Sequence, residues 1–337
     1  MTTQTVAGAR TAGDSPNGAG LHPQLRKAAS TLPASNENKV QKNDYSKSKN
    51  NIHIKNRNME THSDKKKIEK VVLSDIGELI NFTVNDDFLD ERIKRRWVNF
   101  AFRGVSKASR ELKTSLLRNS GANKLIAEQR LLRNFEKYAQ VIEPRVKNSL
   151  WENMIYAQHH GVPTRLLDWS FSPLIALHFA IKNADSPDGA KNDAVVWAIN
   201  YKKLNKSLPN KYVEILEENN AIAFTLEMLE KLDVKTIDDY NKDMNGKHIL
   251  FFEPPSISER IVAQSSIFSI IPDGLDPIDE LLFPNSNDVE VYKFIIPKEK
   301  LQKFSDALHI LNISERTLFP GLDGIGSWLK RIYFNRT

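Results

Sequence analysis

The segment Leu174–Lys182 most restricts the folds open to this chain, because it predicts a helix that is apolar on nearly every side. Ser172 precedes it as a candidate N-cap, and Pro173 stands at the first helical position, where helices favour these residue types. A helix without a polar face has to be buried. The segment is therefore predicted to lie inside the folded part of the chain.

Strand and helix patterns alternate irregularly around this segment. Short apolar or alternating runs predict strands at 96–104, 164–169, 194–200, 249–252, 266–271 and 289–296. Helical periodicity predicts helices within 124–150 (broken near Pro144), at 151–159, through much of 201–248 and at 297–311. Without a regular strand–helix–strand repeat, we expect an α+β fold: one mixed domain with a central, largely antiparallel sheet flanked by helices.

The basic character of the chain is confined to its beginning. Of the 48 basic and 42 acidic residues, 13 and 6 lie in residues 1–70, which leaves 35 and 36 in residues 71–337. Residues 1–67 also contain no Phe or Trp, so they bury too little apolar surface to offset about 1–2 kcal/mol of backbone entropy per residue. We predict a disordered basic tail over 1–70 and a folded domain over 71–337, with 201–248 as a helical insertion.

Several classes of protein are excluded by what the sequence lacks. It has no cysteine, which excludes disulfides, a cysteine nucleophile and cysteine-ligated zinc. The longest apolar stretch, near Leu174–Ile181, is far shorter than the ~20 residues of a membrane span, and no secretory signal begins the chain. Phosphate-loop, dinucleotide-binding, HExxH and GxSxG motifs are also missing. A cytoplasmic protein without membrane contact is the expectation.

Polar residues concentrate just before the buried helix. Six polar or ionisable side chains lie between positions 158 and 168, among hydrophobic residues: Gln158, His159, His160, Thr164, Arg165 and Asp168. Neighbouring histidines on a helix point about 100° apart, whereas two-histidine metal motifs use i,i+4 spacing, so no metal site is expected. A histidine here could instead bond the following turn or face a cleft as a donor to an anionic ligand.

Two arginines leave a structural and a functional interpretation open. Arg165 and Asp168 would each be unfavourable to bury alone, so they are expected to pair with each other or with a ligand. Arg103 ends an apolar strand and precedes Gly104, which would let a ligand or another strand approach closely. Its guanidinium could clamp a phosphate or carboxylate, or it could pair with a residue such as Asp168.

The chain resembles the FRG domain family, named after a Phe-Arg-Gly motif. The resemblance rests on Phe102-Arg-Gly104, on the string QHHGVPTRLLDWS at 158–170 and on PLIALHFA at 173–180. Two later stretches, 260–268 and 317–323, fit as well, so it runs from about residue 80 to 330. Val105 stands where the family often has Gln and Ser170 where it usually has Thr, while 201–248 matches nothing recognisable.

The resemblance implies a protein of bacteria or phages, often discussed beside anti-phage defence or toxin-like genes. The pattern is similar in outline to ADP-ribosyltransferases, which cleave NAD. They use an Arg or His on a first strand, a hydroxyl or Tyr near a strand followed by a helix, and a late Glu or Gln. Arg103, Ser170 (or Thr164) and Gln264 occupy that order here, with Glu259 as an alternative carboxylate. This similarity would make NAD a substrate.

Three functions follow as hypotheses. The first is an ADP-ribosyltransferase-like, NAD-consuming enzyme. The second is a non-catalytic module in which Arg103, His159, Arg165 and Asp168 bind a nucleotide or a phage component, with His160 and Thr164 nearby. The third is a nucleic-acid-acting protein that uses the basic tail, with salt-sensitive binding. A functional site would require Arg103, His159, Asp168 and Gln264 to converge on one cleft.

Overall fold

A computed structural model of the chain describes residues 68–84, 89–90, 94–96, 99–119, 123–147, 149–184, 191–273, 276–282 and 289–334. Most of the predicted basic tail lies outside the described residues. Its last two positions, Glu69 and Lys70, begin the first strand of the sheet, so the prediction that the tail extends to residue 70 is wrong at its boundary. No described helix is long and apolar enough to span a membrane.

The core of the domain is a seven-stranded mixed sheet. Its strands, in chain order, are β1 (Glu69–Val72), β4 (Phe100–Val105), β5 (Leu166–Ser170), β6 (Ala194–Asn200), β7 (Leu250–Phe252), β8 (Ser266–Ile270) and β9 (Val291–Ile296). A separate two-stranded ribbon consists of β2 (Leu89–Asp90) and β3 (Arg95–Arg96). The spatial order is β1-β9-β6-β4-β5-β8-β7, and every neighbouring pair is antiparallel except β1 with β9. The predicted α+β class is confirmed, with one parallel edge strand.

The helices pack on both faces of this sheet. They are α1 (Ile76–Thr83), α2 (Ser115–Arg118), α3 (Lys124–Ala139), α4 (Leu150–His159), α5 (Pro173–Ile181), α6 (Tyr201–Asn205), α7 (Asn210–Glu218), α8 (Leu226–Glu230), α9 (Ile237–Met244), α10 (Glu259–Ala263), α11 (Ile278–Leu281), α12 (Leu301–Ile310), α13 (Glu315–Leu318) and α14 (Leu322–Phe334), with 3-10 turns at Pro144–Lys147 and Lys298–Lys300. On one face, α1, α5 and α12 cover β4, β6 and β9. Farther along the same face, α3, α4 and α7 to α9 cover β5, β7 and β8. On the opposite face, α6 and α11 pack against β5, β6 and β7.

The buried helix predicted from the sequence is α5. Ser172 caps it, since the Ser172 hydroxyl accepts a hydrogen bond from the Ile175 N–H, and Pro173 is its first residue. All but three of its residues are buried, which explains why the sequence places no polar face there. The expected helical character of 201–248 is also present, because α6 to α9 occupy most of that segment.

The sheet is nearly split between β4 and β5. β4 pairs with its other neighbour, β6, over six consecutive positions. With β5 it pairs at one position only, Phe102 with Ser170. The two strands then stop sharing ladder hydrogen bonds, which leaves backbone groups of β5 free to bond something other than a strand. Four polar residues of the 158–170 string lie at this interruption at the centre of the sheet: Gln158, His159, Asp168 and Ser170.

Candidate functional site

A cleft of about 480 Å³ opens where β4 and β5 separate. It is lined by β4 and the loop after it, the end of α4, strand β5, helix α5, and the segment from α10 to the start of β8. A cleft of this size falls in the range of small-molecule sites, about 300–1,000 Å³. Arg103, His159, Asp168 and Gln264 all line it, so the convergence that a functional site requires is present.

Arg103 projects from β4 into the gap between the strands. Its guanidinium donates a hydrogen bond to the main-chain carbonyl of Asp168, which takes the place of a missing ladder bond. The pKa of Arg103 is lowered to about 10. Burial is the largest cause, the carboxylate of Asp168 acts in the opposite direction, and Arg118 adds to the lowering. The guanidinium is still charged at neutral pH. Among the described residues, its hydrogen-bond partner is this main-chain carbonyl and not a carboxylate.

Cations dominate the cleft. Among the described residues that line it, six carry positive charge and two carry carboxylates: Arg103, Arg110, Lys113, Arg118, Lys182 and Arg260 against Glu111 and Asp168. Glu111 is paired with Lys113 at 2.5 Å. The pKa of Lys182 is lowered by burial and by its neighbours Arg260 and Arg103. Like charges gathered in this way favour binding of an anion, which relieves their mutual repulsion.

Asp168 is the exposed residue in a strand whose other members are buried. Its carboxylate Oδ2 accepts a hydrogen bond from Nε2 of Gln158 at 2.9 Å. Oε1 of the same Gln158 accepts a hydrogen bond from the hydroxyl of Thr164 at 2.6 Å. Thr164 itself is fully buried and does not line the cleft. Its hydroxyl is linked to the cleft through Gln158.

The two histidines have different surroundings. His159 lines the cleft, and its Nε2 lies 3.0 Å from the hydroxyl of Ser258. Burial, followed by the nearby His160 and Arg260, lowers the pKa of His159. His160 ends α4 and stacks on Phe135 outside the cleft. Within the described residues, no three His, Cys, Asp or Glu side chains are arranged to hold a metal ion.

The residues expected in the hydroxyl position and in the late Glu or Gln position differ in their contacts. Ser170 lines the cleft, but its hydroxyl donates to the carbonyl of Gln264 at 2.8 Å and accepts from the Ser172 N–H at 3.0 Å. Gln264 also lines the cleft, and its Nε2 donates to the carbonyl of Leu318. Glu259 is exposed in the first turn of α10 and does not line the cleft.

Arg165 lies outside the cleft, and the expectation that it pairs with Asp168 is wrong. Arg165 and Glu128 are both completely buried and form an ion pair with two close contacts, Nε–Oε1 at 2.8 Å and Nη2–Oε2 at 2.5 Å. The Nη1 group of Arg165 also donates a hydrogen bond to Oδ1 of Asn241 at 2.7 Å. Arg165 comes just before β5 and is enclosed by α3 and α9, whereas Asp168 lies at the centre of β5 and lines the cleft. Arg165 therefore joins α3 and α9 to the start of β5.

Several cleft residues carried no separate functional signal in the sequence. Arg110, Lys113 and Arg118 come from the irregular segment and short helix after β4, and Lys182 is the residue that ends the apolar α5. A single lysine at the end of an otherwise apolar helix is usual at a helix C-terminus. Only the fold shows that these residues face Arg103. Gln158 was visible in the string of polar residues, but its hydrogen bonds to both Thr164 and Asp168 were not.

Residues 98–189 match the family model of the FRG domain. The resemblance is therefore confirmed over that stretch, which contains β4, α4, β5 and α5 and hence Arg103, Gln158, His159 and Asp168. Gln264, Arg260 and Glu259 lie beyond the matched residues. No curated protein and no solved structure matches the chain.

Proposed function

We propose that the cleft binds a small molecule carrying phosphate groups, of the nucleotide type, with Arg103 as the central anion-binding residue. The observation that carries the proposal is the excess of six cations over two carboxylates around the cleft. One of these two, Glu111, is already paired with Lys113. A guanidinium offers several N–H donors in a fixed geometry that suits phosphate oxygens.

For the ligand we propose NAD, and for the activity cleavage of its nicotinamide–ribose bond. In that reaction the bond between C1′ and the ring nitrogen breaks, and both electrons leave with nicotinamide. Water or another nucleophile adds to C1′ and releases its proton. An anion clamp for the pyrophosphate and an acceptor for a ribose hydroxyl are needed. Arg103 and the carboxylate of Asp168 suit these two roles. Consumption of NAD would also suit the toxin or defence context that the family resemblance implies.

A second candidate is a binding module without turnover. It is favoured by the hydrogen bonds of Ser170, whose hydroxyl is committed to the backbone of Gln264 and Ser172. It is also favoured by the position of Glu259 outside the cleft. Under this alternative, Arg103 and Asp168 would recognise a nucleotide whose binding is the functional event.

One experiment separates these outcomes. The purified full chain is mixed with NAD, ADP-ribose or inorganic pyrophosphate, and thermal stabilisation and nicotinamide release are measured. The variants are Arg103→Ala and, as a matched control, Arg133→Ala, since Arg133 is exposed on α3 away from the cleft. We expect Arg103→Ala to weaken binding roughly 10- to 100-fold, as expected for lost charge-assisted hydrogen bonds, and Arg133→Ala to leave it unchanged.

Nicotinamide release that depends on Arg103 supports the enzyme. Stabilisation by NAD without release supports the binding module. If none of the three compounds stabilises the protein, the proposal of a phosphate-binding cleft is overturned.

A further inference from the structure

We infer that Gln158 and Thr164 are positioning residues that orient the Asp168 carboxylate in the cleft as a hydrogen-bond acceptor for a ligand. We further infer that the ligand donates a hydroxyl group to this carboxylate while its phosphate binds Arg103. The inference deepens the proposed function and rests on it, because it concerns how the same cleft recognises a sugar next to a phosphate.

The first step is the buried hydroxyl of Thr164. Its oxygen accepts a hydrogen bond from the Leu166 N–H at 3.2 Å, and the side chain is 0% exposed. Its O–H group cannot reach water, so it requires an acceptor within the protein. Oε1 of Gln158, at 2.6 Å, is that acceptor.

The second step is the orientation of the Gln158 amide. Because Oε1 accepts from Thr164, the Nε2 amino group must face the other way, toward Asp168 Oδ2 at 2.9 Å. A flipped amide would set its carbonyl oxygen against the carboxylate, which only a protonated carboxyl group could satisfy. The hydroxyl of Thr164 therefore fixes the Gln158 amide so that its N–H group faces the Asp168 carboxylate.

The third step is the fixed relation between Asp168 and Arg103. The main-chain carbonyl of Asp168 accepts the hydrogen bond of Arg103, while the Asp168 side chain, exposed among buried neighbours, lines the cleft. One residue thus anchors the guanidinium and presents the carboxylate beside it. A ligand that satisfies both needs an anionic group for Arg103 and a neutral donor for Asp168, since a second anion would be repelled by the carboxylate. A phosphorylated sugar with free hydroxyl groups has this combination.

The same three positions belong to one stretch of sequence. Gln158 is in the last turn of α4, Thr164 precedes β5, and Asp168 is at the centre of β5. The carbonyl of Thr164 accepts hydrogen bonds from the Leu116 N–H and from the Ser115 hydroxyl. The Ser115 hydroxyl in turn accepts a hydrogen bond from the Thr164 N–H. The network therefore connects the short helix that carries Arg118 to the residue that orients Asp168.

The test compares two probes that differ in hydroxyl groups. Affinities of ADP-ribose and of inorganic pyrophosphate are measured by calorimetry. The variants are Thr164→Val, Thr164→Ser, Gln158→Met and Asp168→Asn. Gln158 is only partly buried, so Gln158→Met provides a folded variant even if Thr164→Val does not fold.

We expect Thr164→Val, Gln158→Met and Asp168→Asn each to weaken ADP-ribose binding roughly tenfold, as for a lost hydrogen bond to a charged group. The affinity for pyrophosphate should stay unchanged in Thr164→Val and Gln158→Met and should rise in Asp168→Asn, which removes the carboxylate that repels an anion. Thr164→Ser, which keeps the hydroxyl, should restore ADP-ribose binding. The double variant Gln158→Met/Asp168→Asn should be no weaker than Asp168→Asn alone, because the residues act as one unit.

Equal losses for both probes in Gln158→Met, or no loss for ADP-ribose, would overturn the inference. If the wild-type protein binds neither probe, the proposed function fails instead, so the two failures are distinguishable.

Discussion

The backbone of Gly104 lies directly against the backbone of Ala176. A methyl group placed on Gly104 would approach the carbonyl oxygen of Ala176 to 1.9 Å and the amide nitrogen of Ala180 to 2.4 Å. The glycine after Arg103 is thus required by a helix, α5, and not by a ligand or a neighbouring strand as the sequence had suggested. Because of this close approach, helix α5 packs directly on β4, the strand that carries Arg103.

We predict that Gly104→Ala destabilises the protein strongly. The added methyl group meets backbone atoms, which cannot move aside as a flexible side chain would, so strand and helix must separate. Overpacking of this kind costs about 1–3 kcal/mol and sometimes more. The free energy of unfolding from urea titration measures the effect. Gly326→Ala is the matched control, because a methyl group there has no atom within 4 Å and alanine favours the helix by ~1 kcal/mol. Equal stability of the two variants would contradict the prediction.

A second prediction concerns the buried pair of Arg165 and Glu128. Replacing Arg165 with Ala leaves the carboxylate of Glu128 in a site with 0% exposure, and breaking a buried pair in this way costs about 3–5 kcal/mol. The double variant Arg165→Met/Glu128→Leu removes both charges and should recover most of that loss. Urea denaturation of the single and double variants tests this. If Arg165→Ala were as stable as the wild type, the pair of Arg165 and Glu128 would not hold α3 on β5.

Much of the fold was predictable because local patterns coincide with burial. The apolar α5, its cap at Ser172 and the runs of β6 and β8 have periodicities that only a core position explains. β1 was missed as a strand because its exposed and half-buried residues alternate at the edge of the sheet, next to a run of lysines. Its parallel pairing with β9 joins residues more than 200 positions apart, which no local pattern encodes.

The site was predictable in its residue types but not in its pairings. The sequence grouped Arg165 with Asp168 because both are charged and close in the chain. The partner of Arg165, however, is Glu128, whose side chain reaches it from α3. Lys182 and Arg260 join the cleft only because α5 and α10 end near each other in space. Charges that meet across distant elements have no signature in one sequence.

A third prediction is a loss of stability in acid caused by His178. This side chain is 1% exposed, and burial, followed by Arg331 and Lys182, lowers its pKa to about 3. Its Nε2 is 3.7 Å from Oε1 of Glu315, too far for a hydrogen bond, and Arg331 already pairs with that carboxylate at 3.1 Å. Because the unfolded state binds a proton near pH 6.5 and the folded state does not, stability falls as the pH drops from about 6.5 toward 3 by at most ~1.4 kcal/mol per pH unit.

The variant His178→Gln should flatten this part of the stability profile, because its side chain does not titrate. The exposed His309 on α12 provides the control, and His309→Gln should leave the wild-type slope intact. Chemical denaturation at pH 4, 5, 6 and 7 gives the comparison. A wild-type slope that survives in His178→Gln would assign the acid sensitivity to other groups.

The last prediction is that the affinity of the cleft for anions falls in alkali through Lys182. Burial and the neighbouring Arg260 and Arg103 lower the pKa of Lys182, so it loses its proton at a lower pH than an ordinary lysine. A bound phosphate favours the charged form and raises that pKa again. Binding in mildly alkaline solution should therefore take up protons, and affinity should decrease as the pH rises.

ADP-ribose is the probe, since its pyrophosphate does not titrate in this range. Calorimetry in two buffers of different ionisation enthalpy measures the uptake. Lys182→Arg keeps its charge throughout and should abolish most of it, whereas Lys330→Arg, on the exposed side of α14, should not. Proton uptake that persists undiminished in Lys182→Arg would show that Lys182 does not contact the bound anion.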